Sequence, residues 1–230
     1  MDPRVTVVIA TRNRWAELGP TLERLRALPE APGVIVVDNG STDGTCDLVR
    51  DDHPWACLVE LGENLGAAAR TVGARAAGSP YLAFNDDDSW WAPGSLALAA
   101  DRLDAHRQLA LIAARVLVGE AEALDPSCAA MAASPLPRAA DLPGRAVLGF
   151  LACGAVVRRS AFLDVGGFEP RFGVGGEEEL LAIDLASAGW GLSYCDDIIA
   201  HHHPRSSGPR PGRRRVEVRN ALWTTWLRRP

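Results

Sequence analysis

Val5-Thr6-Val7-Val8-Ile9-Ala10 is an unbroken, largely β-branched apolar run. A strand of this kind has no polar face, so it is expected to be buried on both sides, as in a parallel sheet covered by helices. The chain then repeats the pattern. After the polar turn Thr11-Arg12-Asn13-Arg14, Ala16 to Leu28 sets Leu18, Leu22, Leu25 and Leu28 at helical spacing. Pro29 to Gly33 breaks that helix, and Val34-Ile35-Val36-Val37 is a second buried strand stopping at Asp38-Asn39-Gly40-Ser41. A short helix over Thr42 to Arg50, a strand over Cys57 to Leu61, an alanine-rich helix over Gly66 to Ala77 and a strand over Tyr81 to Phe84 follow. Strand–helix alternation with short loops predicts an α/β fold with a parallel sheet and right-handed crossovers.

The second half is less regular. Pro93 to His106 reads as a helix, Leu109 to Val118 as a strand, and Glu120 to Gly144 as a loop. Phe150 to Val157 is expected as a strand, Arg158 to Val165 and Glu177 to Ala188 as helices, and Leu192 to Tyr194 and Ile198 to Ala200 as short strands. Pro204 to Gly212 reads as a loop, and the last residues as a short amphipathic helix.

Composition narrows the class. With 230 residues, 47% hydrophobic and 23% charged, the chain has the length and core of one soluble domain. All 24 basic residues are arginine, read here as a trace of GC-rich coding DNA, and the net charge of −5 gives nucleic acid no reason to bind. Five cysteines, odd in number and without a CxxC pair, favour reduced thiols and a cytoplasmic protein. No run reaches the roughly 18 apolar residues that a spanning helix needs.

Parallel sheets bind ligands beyond the carboxyl ends of their strands, and three polar clusters fall there: Thr11 to Arg14, Asp38 to Ser41, and Asp86 to Asp88. Alternation along an extended segment lets Asp86 and Asp88 face one cation while Asp87 turns away. Oxygen donors of this kind suit Mg²⁺ or Mn²⁺ bridged to a substrate phosphate. His201-His202-His203 closes a strand, with His201 and His203 on one face and His202 opposed; one imidazole is expected to complete the metal's shell, with His201 and His203 the candidates and the choice left open. Asp38 can accept from a nucleobase or ribose, and Arg70, on a helix opened by Asn64-Leu65-Gly66, can reach a diphosphate or pair with an acid. Glu177-Glu178-Glu179, after Gly175-Gly176, offers a carboxylate general base.

Taken in order, Val5 to Arg14, Val34 to Thr45, Asn64 to Gly73, Asp86 to Asp88 with Trp91 and Pro93, Gly166-Gly167-Phe168, and Gly176 to Glu178 with Gly189-Trp190 resemble the family-2 glycosyltransferases. The resemblance runs from Val5 to about Trp226. It implies a GT-A fold, with a Rossmann-like, mostly parallel central sheet flanked by helices in one domain over residues 1–230. Residues 1–95 would form a nucleotide-binding half and 96–204 an acceptor half, followed by a basic, tryptophan-containing tail over 205–230. It also implies inverting hexosyl or deoxyhexosyl transfer from a nucleotide-diphosphate sugar to a polysaccharide, lipid-linked or natural-product acceptor. Thr11, Arg14, Asp38 and Arg70 match positions around the nucleotide, with Asp86 and Asp87 beside them. Asp86 and Asp88 match the ends of the D-x-D motif, and Glu177-Glu178 matches a Glu-Asp pair whose second member is the base. Glu178 stands where aspartate is usual, Leu180 and Asp184 replace an acid and an arginine, and Glu179 competes for the role of base.

Two other readings are a nucleotidyltransferase and a nucleotide-binding homologue without transfer activity. The first is disfavoured because Ala10 to Arg14 lacks the glycines of a triphosphate loop. In the tail, Arg213, Arg214, Arg215, Arg219, Arg228 and Arg229 surround Val216, Val218, Leu222, Trp223, Trp226 and Leu227. It is expected either to pack on the acceptor side or to lie peripherally on an anionic membrane. A homo-oligomer is compatible with either.

Overall fold

The computed structural model describes residues 4–137, 141–204 and 212–228. The first half alternates as expected: β1 (Val5–Thr11), α1 (Trp15–Arg26), β2 (Gly33–Asp38), α2 (Thr45–Asp52), β3 (Cys57–Glu60), α3 (Ala69–Ala76) and β4 (Tyr81–Asn85). Then come β5 (Ser89–Trp91), α4 (Ser95–Ala105), β6 (Leu109–Val118), β7 (Ala123–Leu124), α5 (Pro126–Ala132) and β8 (Arg145–Ala146). The chain continues through β9 (Ala155–Arg158), α6 (Arg159–Asp164), α7 (Glu177–Ser187), β10 (Gly191–His202) and α8 (Arg213–Arg228).

One sheet runs through both halves in the order β3-β2-β1-β4-β9-β6-β10-β5, with β7 pairing β6 and β8 pairing β10. Strands β1 to β4 are mutually parallel, β9 runs against both β4 and β6, and β10 returns parallel to β6. Val7, Val8 and Ile9 of β1 and Val36 and Val37 of β2 are fully buried, as a sheet covered on both faces requires. Phe84, at the end of β4, packs its ring 5.1 Å from Phe162 and 5.4 Å from Phe168 and closes the core beneath the strand ends.

Three expectations change. The stretch expected as a loop over Glu120 to Gly144 holds β7 and α5, although 138–140 lie outside the described residues. The α5 helix is too short for its periodicity to show. It is started by the Asp125 carboxylate, which accepts from Ser127 N at 2.7 Å, and is anchored by buried Cys128. The strand expected from Phe150 begins only at Ala155, because Ala152–Gly154 forms a 3₁₀ turn. There Gly154 packs so closely that a Cβ would meet Val116 Cγ2 at 2.5 Å. The two short strands expected after Gly189 are one strand, β10, interrupted by an irregularity between Cys195 and Ile199.

The tail, described from Gly212 to Arg228, packs on the domain through one face of α8, where Asn220 and Thr224 are buried. Most of the Pro204 to Gly212 loop, and Arg229 with Pro230, lie outside the described residues. No helix among the described residues is long and apolar enough to cross a membrane.

Helix α3 reaches the sheet through Gly73, where a Cβ would lie 2.5 Å from Val8 Cγ1 and 2.9 Å from Val37 Cγ2. A helix-interior glycine-to-alanine change ordinarily gains about 1 kcal/mol, whereas overpacking costs about 1–3 kcal/mol. Gly73→Ala should therefore lower stability in a denaturant titration, and a gain would contradict this close approach.

Candidate active site

The ends of β1, β4 and β10 and the starts of α3 and α7 meet at one cleft of about 760 Å³. Register explains the meeting. Thr11 lies opposite Asp38 and Ile9 opposite Asn85, so the carboxyl ends of β1, β2 and β4 fall side by side. Beyond β4 the chain reverses on buried hydrogen bonds. The Asn85 amide donates to Ser89 O at 2.7 Å, and Trp91 Nε1 donates to Asn85 Oδ1 at 2.6 Å. Ser89 Oγ accepts from Asp86 N at 2.9 Å. This network holds Asp86-Asp87-Asp88 out at the cleft.

Arginines and a threonine offset the triplet's charge. Arg14 Nε lies 2.7 Å from Asp87 Oδ1 and its Nη2 lies 2.7 Å from Asp88 Oδ2. Thr11 Oγ1 donates to Asp87 Oδ2 at 3.1 Å, and Arg70 pairs with Asp86 Oδ1. Asp87 is the most enclosed of the three, and burial pushes its carboxyl up to about 7, with Asp88 and Asp86 adding to the rise against Arg14. Asp86 Oδ2 and Asp88 Oδ1 are the oxygens not taken by an arginine, whereas both oxygens of Asp87 are committed to Arg14 and Thr11.

The pairing of β10 with β5 decides which histidine faces the acids. His201 and His203 do share a face, but it is the far one. His201 Nδ1 lies 2.9 Å from Glu122 Oε1 and its ring stacks on Trp90 at 5.4 Å, while the His203 ring lies 4.6 Å from the same tryptophan. His202 faces the acids, with Nε2 3.3 Å from Asp88 Oδ1 and 3.9 Å from Asp86 Oδ2. Burial alone would lower this imidazole, but the contact with Asp88 and the charge of Asp86 outweigh it and raise it. Alternation indicates which histidines share a face; only the tertiary pairing decides which face meets the acids.

Cys153, which carried no signal in the sequence, lies in the 3₁₀ turn at the back of the cleft. Its thiol, the Asp86 carboxylate and His202 offer ligand atoms within 4.8 Å of one another. Burial raises that thiol well above its ordinary value. Carboxylate oxygens suit Mn²⁺ or Mg²⁺, and Asp86 and Asp88, with His202 beside them, are the residues here that could hold it.

Asp38 is buried at the end of β2, but its carboxylate accepts from Gly40 N at 3.0 Å, Ser41 N at 2.8 Å and the Ser41 hydroxyl. It holds the turn that presents Asn39 to the cleft. Across the cleft, Glu177 and Glu178 begin α7 and line the wall, whereas Glu179 is exposed and outside it. Burial raises both carboxyls, and the Glu177 charge adds to the rise at Glu178.

The loop before α7 is held from two sides. Gly173 O accepts from Ala67 N at 2.8 Å, tying it to the start of α3. From α8, the Asn220 amide donates to Phe172 O at 3.0 Å and to Gly175 O. Gly175 and Gly176 take φ of 98° and 89°, which side chains rarely adopt, so this entry to α7 depends on glycine. Asp184, where the resemblance expects arginine, receives one from α8 instead: Arg228 Nη2 donates to Asp184 Oδ2 at 2.8 Å.

Comparison with known proteins places this geometry. The model of the family "Glycosyl transferase family 2" matches residues 6–166. The N-acetylglucosaminyl-diphospho-decaprenol L-rhamnosyltransferase of Mycobacterium tuberculosis is 30% identical, over 84% of this chain and 75% of its own length. The pre-mycofactocin glycosyltransferase of the same species is 33% identical over 86% of this chain, which spans only 43% of that protein. Among solved structures, a Pyrobaculum calidifontis mannosyltransferase in complex with GDP-Man and Mn²⁺ superposes with a TM-score of 0.69 at 22% identity, over 98% of this chain and 65% of that one. Staphylococcus aureus TarS with UDP-GlcNAc gives 0.71 at 20% identity, over 95% of this chain and 66% of that one. The fold is GT-A, and the chain belongs to glycosyltransferase family 2.

Proposed function

We propose that this chain moves a hexosyl or deoxyhexosyl group, with inversion, from a nucleotide-diphosphate sugar to an acceptor hydroxyl. Residues 1–95 would hold the nucleotide and 96–204 the acceptor. The observation that carries the reading is one cleft with Asp86, Asp88 and His202 on one wall and the Glu177–Glu178 pair on the other. The rhamnosyltransferase relative and the GDP-Man and Mn²⁺ in the mannosyltransferase structure support the donor class and a divalent ion.

A divalent ion held by Asp86, Asp88 and His202 would neutralise charge growing on the diphosphate leaving group. Arg14 keeps Asp88 aimed at the cleft and Arg70 does the same for Asp86, so both carboxylates are set before a donor arrives. The Glu178 carboxylate takes the acceptor's proton as the acceptor oxygen bonds to the anomeric carbon and the bond to the diphosphate breaks. Glu177 is the poorer base, because its Oε2 already accepts from Gly175 N.

Two outcomes follow from these assignments. Asp88→Asn should weaken Mn²⁺-dependent binding of a nucleoside diphosphate about tenfold or more, read by calorimetry, with melting temperature little changed. Undiminished binding would remove the ion from this site. Glu178→Gln should keep donor binding and lose about 10²–10⁴-fold in transfer; survival of transfer there and its loss in Glu179→Gln would move the base by one residue.

The base works only when ionised, and its carboxyl is raised to about 7. Transfer in the parent protein should therefore fall as pH drops through about 7, whereas an ordinary glutamate would hold its rate down to about 4.3. A flat profile between these values would contradict Glu178 as base.

A further inference from the structure

Helix α8 has two faces with different fates. Asn220 and Thr224 are buried against the domain, and Trp223 packs its ring 6.0 Å from Phe172. On the far side Val218, Leu222 and Trp226, spaced at i, i+4 and i+8, are 55%, 53% and 75% exposed. Among the described residues few other large apolar side chains are as exposed, and one of them, Val174 at 55%, lines the catalytic cleft. Arg214 and Arg215 line a single groove with the apolar stripe. The neighbouring Arg213 reaches the cleft itself.

Charge is segregated in the same way. Residues 205–230 carry eight arginines against one acid, while residues 1–204 carry 16 against 28. An apolar stripe rimmed by arginines, on a chain otherwise strongly acidic, is complementary to an apolar layer beneath fixed negative charge. We propose that α8 docks the protein on an anionic lipid bilayer. Val218, Leu222 and Trp226 enter the headgroup boundary, and Arg214 and Arg215 meet lipid phosphates. A second copy of the chain is the poorer occupant. A stable dimer needs about 800 Å² from each partner, three side chains on one helix supply far less, and two such faces would oppose their arginines.

The test is co-sedimentation of the full chain with mixed phosphatidylglycerol–phosphatidylcholine vesicles and with pure phosphatidylcholine vesicles, at low and high salt. The proposal expects partition to the anionic vesicles only, weakened by salt. That partition should fall about tenfold or more in Leu222→Ser/Trp226→Ser and again in Arg214→Ser/Arg215→Ser. Both variants should keep the parent's melting temperature and its Mn²⁺-dependent nucleotide binding, so a failure here is separate from a failure of the transfer reading. Absence of binding, equal binding to neutral vesicles, or partition unchanged in the variants overturns it. So does a monomer–dimer equilibrium that Leu222→Ser/Trp226→Ser abolishes, which would give the stripe to a second copy.

Discussion

Three adjacent carboxylates on one turn repel one another, at about 4 kcal/mol for a pair roughly 4 Å apart in a partly screened site. The cleft exists because that repulsion is offset from two directions. Arg14 comes from the end of β1 and bridges Asp87 and Asp88, and Arg70 comes from α3 and pairs with Asp86. Each arginine depends on packing elsewhere. Parallel pairing of β1 with β4 sets Arg14 beside the turn, and the glycine contact of α3 with β1 and β2 lets Arg70 come close enough. Asp87 is the most enclosed of the three, and burial raises its carboxyl to about 7, with the charges of Asp88 and Asp86 adding to the rise. A cation between Asp86, Asp88 and His202 would complete the neutralisation.

The opposite wall depends on the tail. The loop from Phe172 to Gly176 has no regular structure of its own beyond one 3₁₀ turn, and it acquires its shape from Ala67 on one side and Asn220 on the other. Asn220 is fully buried and saturated by backbone carbonyls and by Arg219. Helix α8 is therefore part of the frame that aims Glu177 and Glu178, and its far end is held by the ion pair of Arg228 with Asp184. The chain uses one face of α8 to build the site and leaves the other for what lies outside.

How much of this could be read from residues alone follows from where the information sits. Val5 to Ala10 and Val34 to Val37 announce doubly buried strands because no charged residue interrupts them, and with Tyr81 to Phe84 they locate the parallel half and its strand-end clusters. The two residues of β7 and the seven of α5 are too few to show a period. The irregularity in β10 is hidden because Asp196 and Asp197, two of the three residues it adds between Cys195 and Ile199, look like a turn between two strands. The histidines fail for a deeper reason: which face of β10 meets Asp86 is decided by its pairing with Ser89 and Trp90, contacts more than 100 residues apart. Cys153 and Asn220 are invisible for the same cause, since each matters only through what the fold brings beside it.

The claim on which the rest turns is that the acids of the β4–β5 turn and His202 form a metal site facing Glu178. Crystals grown with Mn²⁺ and a nucleoside diphosphate, with anomalous data collected at the manganese edge, test it directly. The account predicts one anomalous peak within coordination distance of Asp88 and His202, with diphosphate oxygens on its open side. A peak instead at Glu122 with His201 and His203, or a nucleotide bound in the cleft with no peak beside it, would contradict the account.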